Sequence, residues 1–216
     1  MSDAFDPVRA RADEVVGRSV VEALKRRGFD AVYAATKEDA LRRILDLIPE
    51  GATVGVPGTV TVRELGAMEA LAERGHTVYQ HWGADQTAED KEQARRDENA
   101  ADCFLTSANA ITRDGEIISI DGAGNRVAGM AWGRGKLIFV VSLDKLASDL
   151  MEGIRRARTA TIPNALRLGA ETACTKAGRC VDCRSESRMC RAVLILEGPS
   201  MGREVHVILV GEPLGY

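Results

Sequence analysis

The sequence predicts an α/β fold: a predominantly parallel sheet covered by helices, with an irregular cysteine-rich segment near the C-terminus. Three observations predict it. Segments of helical period alternate with short strand-like runs along most of the 216 residues, as they must when a chain crosses repeatedly from one parallel strand to the next. Residues 137–142, LIFVVS, form a continuous apolar run, the pattern of a strand buried on both faces. Four of the five cysteines fall in one short polar stretch, which has too few apolar residues to build a core of its own.

The elements follow in order. Asp6-Pro7 reads as a helix start, a capping carboxylate before a proline at the first helical position. Val8, Ala12, Val15, Val16, Val20, Ala23 and Leu24 then recur at helical spacing until Gly28. Residues 29–35 form a strand. Thr36 caps a second helix with Ala40, Leu41, Ile44, Leu45 and Ile48 on one face, closed by Pro49. A strand over 52–56 leads through Pro57-Gly58-Thr59 into a third helix, in which Leu65, Met68 and Leu71 point inward. Thr61 and Glu64 have capping-box spacing, and Gly75 ends this helix. A strand over 76–80, a polar helix over 87–101 and a strand over 103–107 follow. Asp114-Gly115 is a turn between two β-like runs, and the second run, with Ile117, Ile118 and Ile120, enters a glycine-rich loop at 121–125. The strand at 137–142, a helix over 144–160 and strands over 193–196 and 205–210 complete the chain. With no repeat or long linker, residues 1–216 read as one domain, with 165–191 as a cysteine-rich appendage within it.

Bulk properties narrow the function. A formal net charge of −3 and an aromatic content of 4% provide neither the field nor the stacking surface for nucleic acid. No apolar run is long enough for membrane insertion. The first sixteen residues are charged and amphipathic, unlike a signal peptide. The expected location is cytoplasmic.

Cys174, Cys180, Cys183 and Cys190 have the spacing C-x5-C-x2-C-x6-C. The inner pair can place two thiolates on one metal through a tight turn, and the outer pair can complete a tetrahedral set. So polar a segment needs a cross-link to be ordered, and a metal would supply it. Four thiolates suit a [4Fe-4S] cluster or zinc, and Lys176, Arg179, Arg184, Arg188 and Arg191 would offset the negative charge. The competing reading is a set of free or redox-active thiols. Cys103, alone in an apolar strand, reads as a small buried hydrophobe.

Ligands of a parallel sheet bind at the C-terminal ends of its strands, so three loops are candidates. In the first, Gly55 and Gly58 would let the backbone approach an anion, Thr59 and Thr61 offer hydroxyls, and the N-terminus of the next helix favours negative charge. The second offers Thr106 and Asn109. The third offers Asp121, Gly122, Gly124, Asn125 and Arg126. Turn chemistry alone accounts for many of these residue types, but a turn does not require Arg126, which suits a carboxylate or phosphate. Asp121 and Lys145 are the candidates for acid–base work. No nucleophile elbow, zincin motif or dinucleotide fingerprint is present, and His76, His81 and His206 are scattered.

Residues 104–112, Asp114-Gly115 and residues 120–127 together resemble the core signature of the LUD domain. Asn164-Ala165-x-Arg167-Leu168, the segment from Cys174 to Cys190, and Gly211-Glu212-x-Leu214-Gly215 are similar to it as well, so the resemblance runs from about Glu14 to Tyr216. It implies the fold shared by glucosamine-phosphate isomerase, ribose-phosphate isomerase and coenzyme A transferases. It also implies a role as accessory subunit in the oxidation of L-lactate or a related hydroxy acid, beside iron–sulfur and oxidoreductase partner subunits. The alternative is a stand-alone enzyme or sensor that binds a small anionic metabolite (phosphorylated, acyl or folate-like) at the three loops, with a structural metal. The cysteine segment belongs to a subset of the family. Asp144 stands where many relatives have Asn, and Pro57 where a glycine is common.

Overall fold

The computed structural model describes residues 6–216, with Asp6 described by its backbone alone. The cap expected of the Asp6 carboxylate therefore lies outside the described residues. Helix α1 (Asp6–Arg26) packs only through its second half: Val20, Val21, Ala23 and Leu24 are buried, while Val8 and Val15 stay exposed. Strand β1 (Asp30–Ala34) follows, then α2 (Lys37–Leu47), which the Thr36 hydroxyl caps by accepting from the amide of Asp39.

The expected third helix is two. Strand β2 (Val54–Gly55) leads into α3 (Val60–Glu64), and the chain turns at Gly66 before α4 (Ala67–Glu73). Gly66 has φ +64°, a left-handed conformation that glycine adopts without the steric cost of a side chain. The expected capping box does not form, because tertiary contacts take both members: Thr61 accepts from Lys145, and Glu64 accepts from the amide of Gly215. Strand β3 (Val78–Tyr79) and helix α5 (Ala88–Ala100) come next, and a reciprocal Thr87–Asp90 capping box starts α5.

Beyond β4 (Cys103–Thr106) the chain builds a second sheet that the alternating pattern did not predict. Strands β5 (Ala110–Thr112) and β6 (Ile117–Asp121) form the hairpin expected around Asp114-Gly115. Helix α6 (Asn125–Ala131) occupies the end of the glycine-rich loop, ahead of β7 (Lys136–Ser142). The helix expected over 144–160 starts later. A 3-10 turn (Leu143–Lys145) and a short strand β8 (Leu146–Ala147) precede α7 (Leu150–Thr159), and Asp149 caps that helix. Helices α8 (Thr161–Arg167) and α9 (Ala173–Ala177) give the tail more regular structure than expected. Strands β9 (Ala192–Leu196) and β10 (Val205–Val210) end the described elements.

The main sheet has the order β1-β10-β7-β4-β2-β3, and every neighbouring pair in it is parallel. Its core divides by the two-residue period of a strand. Leu137, Phe139 and Val141 of β7 and Val205, Val207 and Leu209 of β10 face a cluster that includes α1 and α6. Ile138, Val140, Ile208 and Val210 face the opposite cluster, with α2, α3 and α4. The second sheet, β8-β5-β6-β9, lies between the first cluster and α7, with Ile117 on one side and Ile118 on the other.

Candidate functional site

Strands β2, β4 and β7 are neighbours and run the same way, so the loops that leave their C-terminal ends share one edge of the sheet. A cavity of about 560 Å³ opens there, also lined by the end of β6 and by residues from α8. Six basic side chains line it, Arg63, Lys91, Arg95, Arg126, Lys145 and Arg167, against a single carboxylate side chain, Asp121.

Lys145 is at the inner end and almost wholly buried. Its ammonium donates to Thr61 Oγ1 at 2.9 Å and to Ser107 Oγ at 3.3 Å, so α3 and β4's loop hold one amine between them. Burial pushes its pKa down to about 8; the Asp144 carboxylate opposes this, and Arg156 and Arg126 add to it. Near neutral pH such an amine can give up and take back a proton, which an ordinary lysine cannot do. Asp144 itself accepts from Ser142 Oγ and faces Arg156 at 3.8 Å.

Asp121 has a different role. Its Oδ2 accepts from the amides of Arg126 and Val127 and its Oδ1 from the amide of Gly122. Those bonds fix the turn into α6 and engage both oxygens with backbone, which leaves Lys145 as the freer proton carrier. Arg126 donates through Nη2 to Asn109 Oδ1 at 2.7 Å and to the Ile120 carbonyl at 3.0 Å. Asn109 Oδ1 also accepts from the Ile120 amide, so this amide ties the β4 loop to β6 and orients the guanidinium. Burial lowers the pKa of Arg126.

The mouth of the cavity is built on Trp82. Arg63 lies 4.0 Å and Arg167 4.6 Å from its ring centroid. The indole Nε1–H donates to His81 Nε2 at 3.1 Å. That nitrogen is therefore unprotonated, and the ring carries its proton on Nδ1, which donates to Glu98 Oε1 at 2.6 Å. The Glu98 side chain is fully buried in α5, and its other oxygen has no partner among the described residues. Burial raises its pKa and the His81 contact opposes the rise.

Of the residues expected at the loops, Gly58, Thr59, Thr61, Asn109, Asp121, Gly122, Asn125 and Arg126 line the cavity. Gly55, Thr106 and Gly124 do not. A Cβ on Gly55 would lie 2.0 Å from the carbonyl oxygen of Glu98, so this glycine admits α5 against β2. Thr106 is buried in β4, one residue before Ser107, which does reach the cavity. Gly124 turns the chain into α6. Helix α3 has five residues, too few for the anion-favouring dipole expected of it. Thr59 is 3% exposed and its hydroxyl has no partner among the described residues. Sequence reasoning missed Arg63, His81, Trp82, Lys91, Arg95, Glu98 and Arg167. The one local signal was His81-Trp82, adjacent in a chain with two tryptophans.

The cysteines are free thiols; burial raises the pKa of Cys190, and its neighbours Cys180 and Cys174 add to the rise. Cys103 is buried in β4, and burial raises its pKa. The Cys174 and Cys190 thiols contact the hydroxyls of Thr172 and Thr161 at 3.0 and 3.1 Å, and Cys180 and Cys183 are half-buried. Among the described residues no three His, Cys, Asp or Glu side chains gather so as to hold a metal ion. The segment does reach the cavity, because Arg167, Leu168 and Met189 line it. No helix among the described residues is long and apolar enough to cross a membrane.

The fold is similar to that in the crystal structure of a DUF162 family protein from Deinococcus radiodurans. The TM-score is 0.54 at 15% identity, over 92% of this chain and 98% of that one. No curated protein matches the sequence. The LUD domain model matches residues 18–210, and the chain belongs to the LUD domain family.

Proposed function

We propose that this LUD-domain protein binds a small anionic metabolite in the cavity at the strand ends, with Lys145 placed to move a proton to or from it. One observation carries the reading: six cationic side chains and one carboxylate side chain line a single cavity. Arg95 alone of the six has a carboxylate ion-pair partner among the described residues, Glu92 at 3.5 Å; gathering the others costs free energy unless a counter-charge relieves it, and a bound anion would be that counter-charge. Its size also fits, since cavities of roughly 300–1,000 Å³ take small metabolites. The carboxylates of lactate and related hydroxy acids belong to the same ligand class. The accessory-subunit role in lactate oxidation draws its support from the family resemblance, whereas the cavity is a property of this chain by itself.

Calorimetric titration with inorganic phosphate, citrate, L-lactate and pyruvate at constant ionic strength tests the reading. At least one of them is expected to bind saturably. Arg126→Gln is expected to weaken that binding about tenfold or more, as loss of a charge-assisted hydrogen bond of about 1.5–3 kcal/mol does, with the circular dichroism spectrum unchanged. Absence of binding by every anion, or equal binding by the folded variant, would overturn it.

A further inference from the structure

We infer that Arg63, Arg167 and Trp82 form a subsite at the cavity mouth for a phosphoryl monoester, so that the anion bound there is a phosphorylated metabolite. This rests on the anion-binding reading of the cavity and adds the class of its ligand.

The two guanidiniums lie 4.0 and 4.6 Å from one indole centroid; burial lowers the pKa of Arg63, and the charge of Arg167 lowers it further. Among the described residues neither forms an ion pair with a carboxylate; Arg167 donates to the Asn164 side-chain amide, and Arg63 has the indole. Cation–π contact gives each charge partial relief, on the order of 0.5–1 kcal/mol at an exposed position, and leaves the in-plane N–H groups of the guanidinium available. Two unpaired guanidiniums call for two negative charges. A carboxylate brings one, whereas a phosphoryl monoester carries about −1.5 to −2 near pH 7 and offers three acceptor oxygens.

A second, independent feature points the same way. The hydroxyl of Thr59 is buried in the cavity wall without a partner among the described residues. A buried polar group left unmatched costs about 1–3 kcal/mol, and a phosphoryl oxygen would accept from it. The preceding residue, Gly58, packs against the Trp82 ring: a Cβ there would lie 2.7 Å from it. This places Thr59 beside the arginine-bearing indole. Glu98 and His81 complete the arrangement as positioning residues, because they hold the Nε1 edge of the ring whose plane both arginines lie over.

The experiment uses Trp82 as its own reporter. Trp132, the other tryptophan, is 78% exposed, and Trp132→Phe removes its emission. In that background methyl phosphate and acetate are titrated at constant ionic strength, with calorimetry in parallel. Methyl phosphate is expected to change Trp82 emission saturably and to bind at least tenfold more tightly than acetate. Arg63→Gln with Arg167→Gln, two exposed positions whose replacement leaves the core untouched, is expected to remove that preference while acetate binding persists. A tenfold preference for methyl phosphate over acetate that survives the double substitution would overturn the subsite and leave the anion cavity standing. Acetate bound as tightly as methyl phosphate would do the same. No binding of either ligand by the unsubstituted arginine protein would overturn the subsite, and together with a silent phosphate, citrate, lactate and pyruvate series it would overturn the cavity reading too.

Discussion

Lys145 shows how one residue takes its chemistry from its surroundings. In an unfolded chain its pKa is that of any lysine, 10.5, and burial brings it to about 8. The folded state therefore holds fewer protons than the unfolded state between those values, so stability rises with pH across that window and the full penalty applies below it. At 1.36 kcal/mol per pKa unit the penalty is about 3 kcal/mol. Lys145→Met is expected to raise the melting temperature at pH 7 and to flatten the rise between pH 8 and 10.5, as read from thermal denaturation at several pH values. Parallel curves for the two proteins would place the amine at its ordinary pKa. The cavity also loses one positive charge as pH passes 8, so anion affinity of the unsubstituted protein is expected to fall there and that of Lys145→Met to stay level. Asp121 carries the opposite lesson. The residue type suits acid–base work, but its oxygens serve the turn into α6.

At the scale of elements, the site depends on how closely α5 approaches β2. Glu98 can reach His81 because residue 55 has no side chain. Gly55→Ala sets a methyl group against the Glu98 carbonyl, and overpacking of this kind costs about 1–3 kcal/mol. The expected outcome is a lower midpoint in urea together with altered Trp82 emission, because α5 carries Glu98 with it. Unchanged emission would separate the α5 contact from the Trp82 arrangement. Much of the element plan was legible in the sequence. A continuous apolar run marks β7, and the Thr36 cap marks the start of α2. The break between α3 and α4 and the late start of α7 were not legible. Both turn on long-range contacts: Lys145 and Gly215 draw Thr61 and Glu64 out of the local capping pattern, and β8 pairs with β5 where the sequence reads as helix.

For the whole molecule, the cysteine-rich segment is best understood as part of the cavity wall, with Thr161 bonded to Cys190 on one side and facing the cavity on the other. Its thiols differ in burial, which makes their reactivity a test of the arrangement. Pulse alkylation with iodoacetamide, read by mass spectrometry, is expected to label the half-buried Cys180 and Cys183 first and the buried Cys103 and Cys174 last. Equal protection of all four segment cysteines with stoichiometric metal would show them converging as ligands instead. Local spacing could nominate Cys174, Cys180, Cys183 and Cys190, because C-x2-C is itself a local geometry. Whether four thiols meet depends on where α8, α9 and the following loop pack.

The sequence by itself determined the parallel α/β class, the two-faced core strands and three of the loops that bound the cavity. Those features follow from periodicity and turn chemistry, which act over a few residues. Only the tertiary structure decided which charges share a space. Arg63, Trp82, Arg95, Arg126, Lys145 and Arg167 come from six separate segments, and nothing local marks Arg63, Trp82, Arg95 or Arg167 as a neighbour of the candidates Arg126 and Lys145. They meet because parallel strands that are distant in sequence are adjacent in the sheet, and adjacency brings their loops to one edge. The lowered pKa of Lys145, the orphaned hydroxyl of Thr59 and the paired arginines on Trp82 all arise from burial and proximity, which exist only once the chain has folded.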